Sequence, residues 1–173
     1  MIGVYENFPE NTHRIEILKS SFSDKKLQEK LVRTLHEINR QSFGFEEIGH
    51  QALRKHTVIL EVGIAEGGSF NYMDDEETKR VLNVLKKESL RVMDFFVAVR
   101  YYKDNDSKKQ PLRFDYYMLR FVFGENNLVE LQVFHERGPR HTSPEDVVTF
   151  LVSRVNEASA RKILKKIEPS EKL

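Results

Sequence analysis

The sequence predicts an α+β fold, a two-layer sandwich whose mostly antiparallel sheet carries helices chiefly on one side. Three observations lead there. Three long runs rich in aromatic and branched residues, 91–103, 112–123 and 128–136, fill the C-terminal half. The connection at Gly124–Asn127 is short enough for an antiparallel hairpin. The element order is strand, helix, strand, helix, three strands, long helix, and not a regular βαβ alternation. With 173 residues, 39% of them hydrophobic, the chain suffices for one domain, read here as 1–173 with an extended N-terminal segment at 1–12 and a frayed tail at 168–173.

In "RIEILK", residues 14–19, Ile15 and Ile17 alternate with charged neighbours, which reads as a short strand. Ser23 then stands as a helix cap, with Phe22 and Leu27 at the hydrophobic-staple positions. Leu27, Leu31, Leu35 and Ile38 form one stripe, placing a helix at about 24–41 that ends near Phe43 and Gly44. "HTVILEVGIA", 56–65, is a strand with Val58, Leu60, Val62 and Ile64 on one face, and "EGGSFNY" breaks its pattern. Asp74 and Glu77 make a capping box for a helix at about 75–88, buried through Val81, Leu82, Val84 and Leu85. The acidic run "DDEE" therefore reads as a helix start in preference to a metal cradle.

The three long strands admit one register. With Glu125, Asn126 and Asn127 as the loop, Phe123 faces Val129, Phe121 faces Leu131 and Leu119 faces Val133. A hairpin one residue tighter would set Phe121 against Glu130. In the preceding pair, Phe95 lies by Leu119 and Met93 by Phe121, which also sets Asp94 opposite Arg120. Ser143 and Pro144 then open a helix with a stripe through Val147, Val148, Leu151, Val152 and Val155, extended through "SARKILKKI" to give 144–167.

The meander has two unlike faces. Met93, Phe95, Val97, Val99, Leu119, Phe121, Phe123, Val129, Leu131 and Val133 form a core face. The other carries Phe96, Arg100, Tyr102, Phe114, Tyr116, Met118, Arg120 and Phe134, too aromatic for an ordinary solvated face. Three covers fit it: a segment of the chain itself, such as that bearing Val4, Tyr5 and Phe8; a second copy; or a ligand. Single-stranded nucleic acid would stack its bases on the aromatics, at about 1–3 kcal/mol per base, with arginines meeting phosphates.

Composition narrows the classes. The longest apolar runs fall well short of the ~20 residues of a membrane-spanning helix, and "MIGVYENFPENTHR" lacks the pattern of a secretory signal. The absence of cysteine removes disulfides and thiolate chemistry and fits a reducing cytoplasm. A net charge of +1 argues against a dominant nucleic-acid or membrane partner. The pairs His135/His141 and His50/His56 lack a standard metal-ligand spacing. "GGSF" places Ser69 in a loop without an identifiable base, and "EGG" lacks the lysine of a P-loop. No metal or cofactor is expected.

The densest charge lies in "HERGPRHTSPEDV", 135–147. Arg137, Arg140, His141 and Ser143 precede a helix N-terminus and form a candidate anion site, although Ser143, Glu145 and Asp146 already serve that terminus. The leading expectation is a non-enzymatic binding or assembly protein that uses the aromatic face for protein contact or self-association. An alternative is an RNA or single-stranded DNA module using that face with Arg100, Arg120, Arg137 and Arg140. A third is an enzyme that holds a small anionic substrate among His135, Glu136, Arg137 and His141.

Overall fold

The computed structural model describes residues 1–49, 56–103 and 111–167, with the side chains of 111 and 112 excepted. In chain order the elements are β1 (Arg14–Ser20), α1 (Asp24–Ile38), β2 (Ser42–Gly44), β3 (His56–Glu66), β4 (Ser69–Tyr72), α2 (Asp75–Lys87), β5 (Val92–Lys103), β6 (Pro111–Phe123), β7 (Leu128–Arg137), α3 (Pro144–Ala158) and β8 (Leu164–Lys166). The strands form one eight-stranded sheet in the order β2-β3-β5-β6-β7-β1-β8, with β4 hydrogen-bonded to β3 and every strand pairing antiparallel. His50 and the tail 168–173 lie outside the described residues, as does most of the polar stretch 103–110.

The meander register is the expected one. Phe123 pairs with Val129, Phe121 with Leu131, and Leu119 with both Val133 and Phe95, while Asp94 stands opposite Arg120. All ten core-face residues of the meander are at most 5% exposed. Each such side chain contributes about 1.5–3 kcal/mol on burial, so a one-residue slip would forfeit the set. The helices cover this face through Leu27, Leu31, Leu35 and Ile38 of α1, Val81 and Leu85 of α2, and Val147, Val148, Leu151 and Val155 of α3. The caps are in place: Ser23 accepts from Lys26 N, Asp74 from Glu77 N at 2.8 Å, and Ser143 from Asp146 N at 3.0 Å. No helix among the described residues is long and apolar enough to cross a membrane.

Three expectations are corrected, and the phase of β1 is set by its neighbour. In β1 the inward residues are Leu18 and Ser20, while Ile15 is 54% exposed. Pairing with β7 sets the phase, since Leu18 lies opposite the buried Val129 and Ile15 opposite Gln132 on the other face. Helix α1 stops at Ile38, short of 41, because the Asn39 side chain accepts from Val62 N and donates to Met73 O, both at 3.0 Å, and turns the chain into β2. Helix α3 ends at Ala158, and Leu164–Lys166 is an edge strand on β1. Asn156 makes that turn: its Oδ1 accepts from Ile163 N and Leu164 N, each at 2.9 Å, and its Nδ2 donates to Leu164 O. Finally, Ser69 lies in strand β4, reached from β3 through Gly67 at φ +64°.

Candidate functional site

The face opposite the helices is built from alternate residues of the central strands, so its composition follows from the period of two. Phe96, Met118 and Phe134 form one row across β5, β6 and β7. Rings run on continuously from the N-terminal segment. Tyr5 lies 4.6 Å from Phe70, Phe70 5.5 Å from Phe96, Phe96 5.6 Å from Tyr116, and Tyr116 6.2 Å from Phe114. All eight candidates, Phe96, Arg100, Tyr102, Phe114, Tyr116, Met118, Arg120 and Phe134, project to this side and are half-buried. The large side chains shield one another, and no described helix lies over them.

The N-terminal segment covers one corner. Gly3 N donates to Ala65 O at 2.7 Å, and Asp94 N donates to Gly3 O at 2.6 Å, so residues near Gly3 fill the gap where β3 and β5 part. Asp94, on the aromatic side yet wholly buried, accepts from Tyr5 N and from Arg120 Nε and Nη2, all at 2.8 Å. The Phe8 ring caps the Arg120 guanidinium at 4.3 Å. Arg100 pairs with Glu61 at 2.6 Å and lies over Phe114. Both central arginines are thus neutralised within the face, which also carries Glu130 and Gln132, hydrogen-bonded to each other at 2.8 Å, so it is largely aromatic and close to charge-balanced.

At its far edge a bulge re-aims one cation. Tyr117 pairs with His135 and Tyr116 with Arg137, so β7 carries an extra residue, Glu136, at that point. His135 therefore points inward, while Arg137 turns to the aromatic side and lies 4.5 Å over Tyr116. Among the described residues no carboxylate pairs with Arg137 or Arg140.

Behind this edge is a cluster that sequence reasoning did not single out. Asp115 is fully buried and accepts four hydrogen bonds. Its Oδ1 takes His135 Nε2 at 2.8 Å and Arg140 N at 2.7 Å; its Oδ2 takes the Tyr101 hydroxyl at 2.6 Å and His141 N at 2.9 Å. Tyr101 also meets Thr142 Oγ1, and the Tyr117 hydroxyl donates to Thr142 O. Gly138, at φ +118°, lies against Phe114 O and Asp115, leaving no room for a Cβ. Burial first, then the neighbouring Tyr117 and Asp115, holds the Tyr101 phenol far above its usual pKa; burial and Asp115 do the same for Tyr117. The signal was an aspartate on the core-facing parity of its strand, two residues before Tyr117.

The four anion-site candidates are thus placed differently. Backbone N–H groups of Arg140 and His141 converge on Asp115, Ser143 caps α3, the His141 ring meets the Tyr101 edge at 5.1 Å, and Arg137 joins the aromatic face. His135 and Arg137 lie on opposite sides of the sheet. Among the described residues no group of three or more histidine or acidic side chains is arranged to hold a metal ion. A depression of about 400 Å³ between α3 and β8, lined by Thr149, Val152, Asn156, Leu164 and Lys166 among others, is separate from both features.

Fold and site together define an α+β sandwich with an aromatic sheet face that no described helix covers. No family model matches the chain, and comparisons with curated proteins and with solved structures find no match.

Proposed function

We propose that this is a non-enzymatic assembly protein that self-associates through its aromatic sheet face. The observation that carries the reading is the continuous ring ladder across a face that no described helix covers, with its arginines balanced by Glu61 and Asp94. A two-fold contact sets a patch against itself, so a patch of one charge would repel its copy and a balanced, largely aromatic one does not. Exposure adds support. Besides Met1, the exposed large hydrophobic residues among those described are Ile15 and Tyr72, and strand register puts both on this face.

Light scattering coupled to size exclusion, over a range of concentrations, is the test. The expected result is a dimer that Ile15→Glu and Tyr72→Glu together convert to monomer; both sites are exposed, so the fold survives the change. A strict monomer at every concentration overturns the proposal.

One observation favours a second reading, single-stranded nucleic acid on the same face: Arg137 lies over Tyr116 with its charge unpaired by any described carboxylate. Binding would then weaken with salt, by a log–log slope of about −0.7 per phosphate contact. Absence of titratable binding at low salt removes this reading.

A further inference from the structure

We propose that His13 is a proton-sensitive clasp whose ring lies over Phe134 at the edge of the aromatic face and, when protonated, lets go of it. The inference deepens the self-association reading by supplying a regulator of the same face, and it rests on that reading only for its consequence.

The geometry is specific about the proton. His13 Nδ1 accepts the backbone N–H of His135 at 2.9 Å, so that nitrogen must carry a lone pair. A proton on Nδ1 would set two donors against each other and leave the His135 N–H without an acceptor. The same imidazole lies flat on Phe134, with centroids 4.9 Å apart and planes 19° apart. Beside the backbone bond from His13 N to Val133 O at 2.9 Å, the ring thus makes a second tie to the β7 backbone and lies over a candidate recognition residue.

The surroundings oppose a second charge. His135 faces His13 from β7 and Arg140 from the loop before α3, while the adjacent Arg14 is paired with Glu16 at 2.8 Å. The Asp115 carboxylate is engaged by His135 Nε2 and does not pair with His13. His13 is exposed overall; the partial desolvation of its ring against β7, then Arg140 and His135, lowers its pKa below the ordinary value. The other anchor of the segment, Gly3 and Tyr5 on Ala65 and Asp94, involves backbone groups and an arginine-paired carboxylate. The His13 backbone keeps its own bond to β7, from His13 N to Val133 O at 2.9 Å, so what opens is the His13 side chain alone.

The sign follows from linkage. A histidine with a depressed folded pKa supports the clasped state fully above about pH 6.5 and loses it as pH falls through the folded value. Acid should therefore bare Phe134.

The test is an NMR titration of the full chain that follows the His13 ring and the His135 amide together, paired with light scattering over the same pH range. The expected result is a shared midpoint below about 6.5, with self-association strengthening on its acid side. His13→Asn keeps an acceptor for the amide without titrating there, and should hold the His135 amide signal constant with pH. A His135 amide that does not follow His13, or a midpoint at or above the ordinary value, overturns the clasp. A clasp that titrates as expected while the protein stays monomeric supports the clasp and overturns self-association.

Discussion

Replacing Asp115 tests the cluster that fixes the 138–142 loop to the sheet. Alanine would strand the four donors now on the carboxylate, His135 Nε2, Tyr101 Oη, Arg140 N and His141 N. They are not equal in cost. Tyr101 still meets Thr142 Oγ1 at 2.8 Å, so its loss is partly offset. Among the described residues the two backbone N–H groups have no acceptor besides Asp115, and His135 is only 9% exposed. At about 1–3 kcal/mol per orphaned buried donor, discounted for Tyr101 and for partial solvent access, Asp115→Ala should cost about 3–5 kcal/mol. That is a large part of the 5–15 kcal/mol typical of a domain and corresponds to about 6–20 °C in Tm at this chain length. Asparagine separates shape from chemistry. One of its atoms remains an acceptor, but its NH2 must face either Arg140 N or His141 N, so its cost should be smaller, about 1–3 kcal/mol. Urea unfolding measures both, through the midpoint at constant m-value. If alanine and asparagine each move stability by less than about 1 kcal/mol, the four hydrogen bonds are not holding this loop and the reasoning fails.

Arg120→Leu leaves the wholly buried Asp94 with Tyr5 N as its remaining described side-chain partner, and should cost about 3–5 kcal/mol in urea unfolding while making the N-terminal segment easier to cleave by protease. An unchanged midpoint would count against the ion pair as the anchor of that segment. High pH probes the buried phenols. Tyr101 and Tyr117 have raised folded pKa values, so their contribution is complete below about pH 10 and is lost as alkali ionises them in the unfolded chain. Phenolate absorbance should therefore show two of the six tyrosines titrating only together with unfolding. All six ionising in the native protein would refute that burial.

The sequence by itself determined the parts in which one local pattern admits one solution. The meander register was legible because Phe121 opposite Leu131 and Asp94 opposite Arg120 satisfy packing and charge together, and the neighbouring register does not. Helix starts were legible because Ser23, Asp74 and Ser143 act on their own next turn. Aromatic composition of the second face was equally local, being set by the strand period. What depended on distant partners was not legible. β7 chose the phase of β1, Asn39 and Asn156 ended helices by bonding to chain beyond them, and a bulge at Glu136 sent Arg137 to the face opposite His135. The dense segment 135–147 shows the division most clearly. Its cap and turn could be read in place, but the carboxylate to which its backbone N–H groups turn is Asp115, more than twenty residues earlier on β6. Only the folded sheet brings that charge to it.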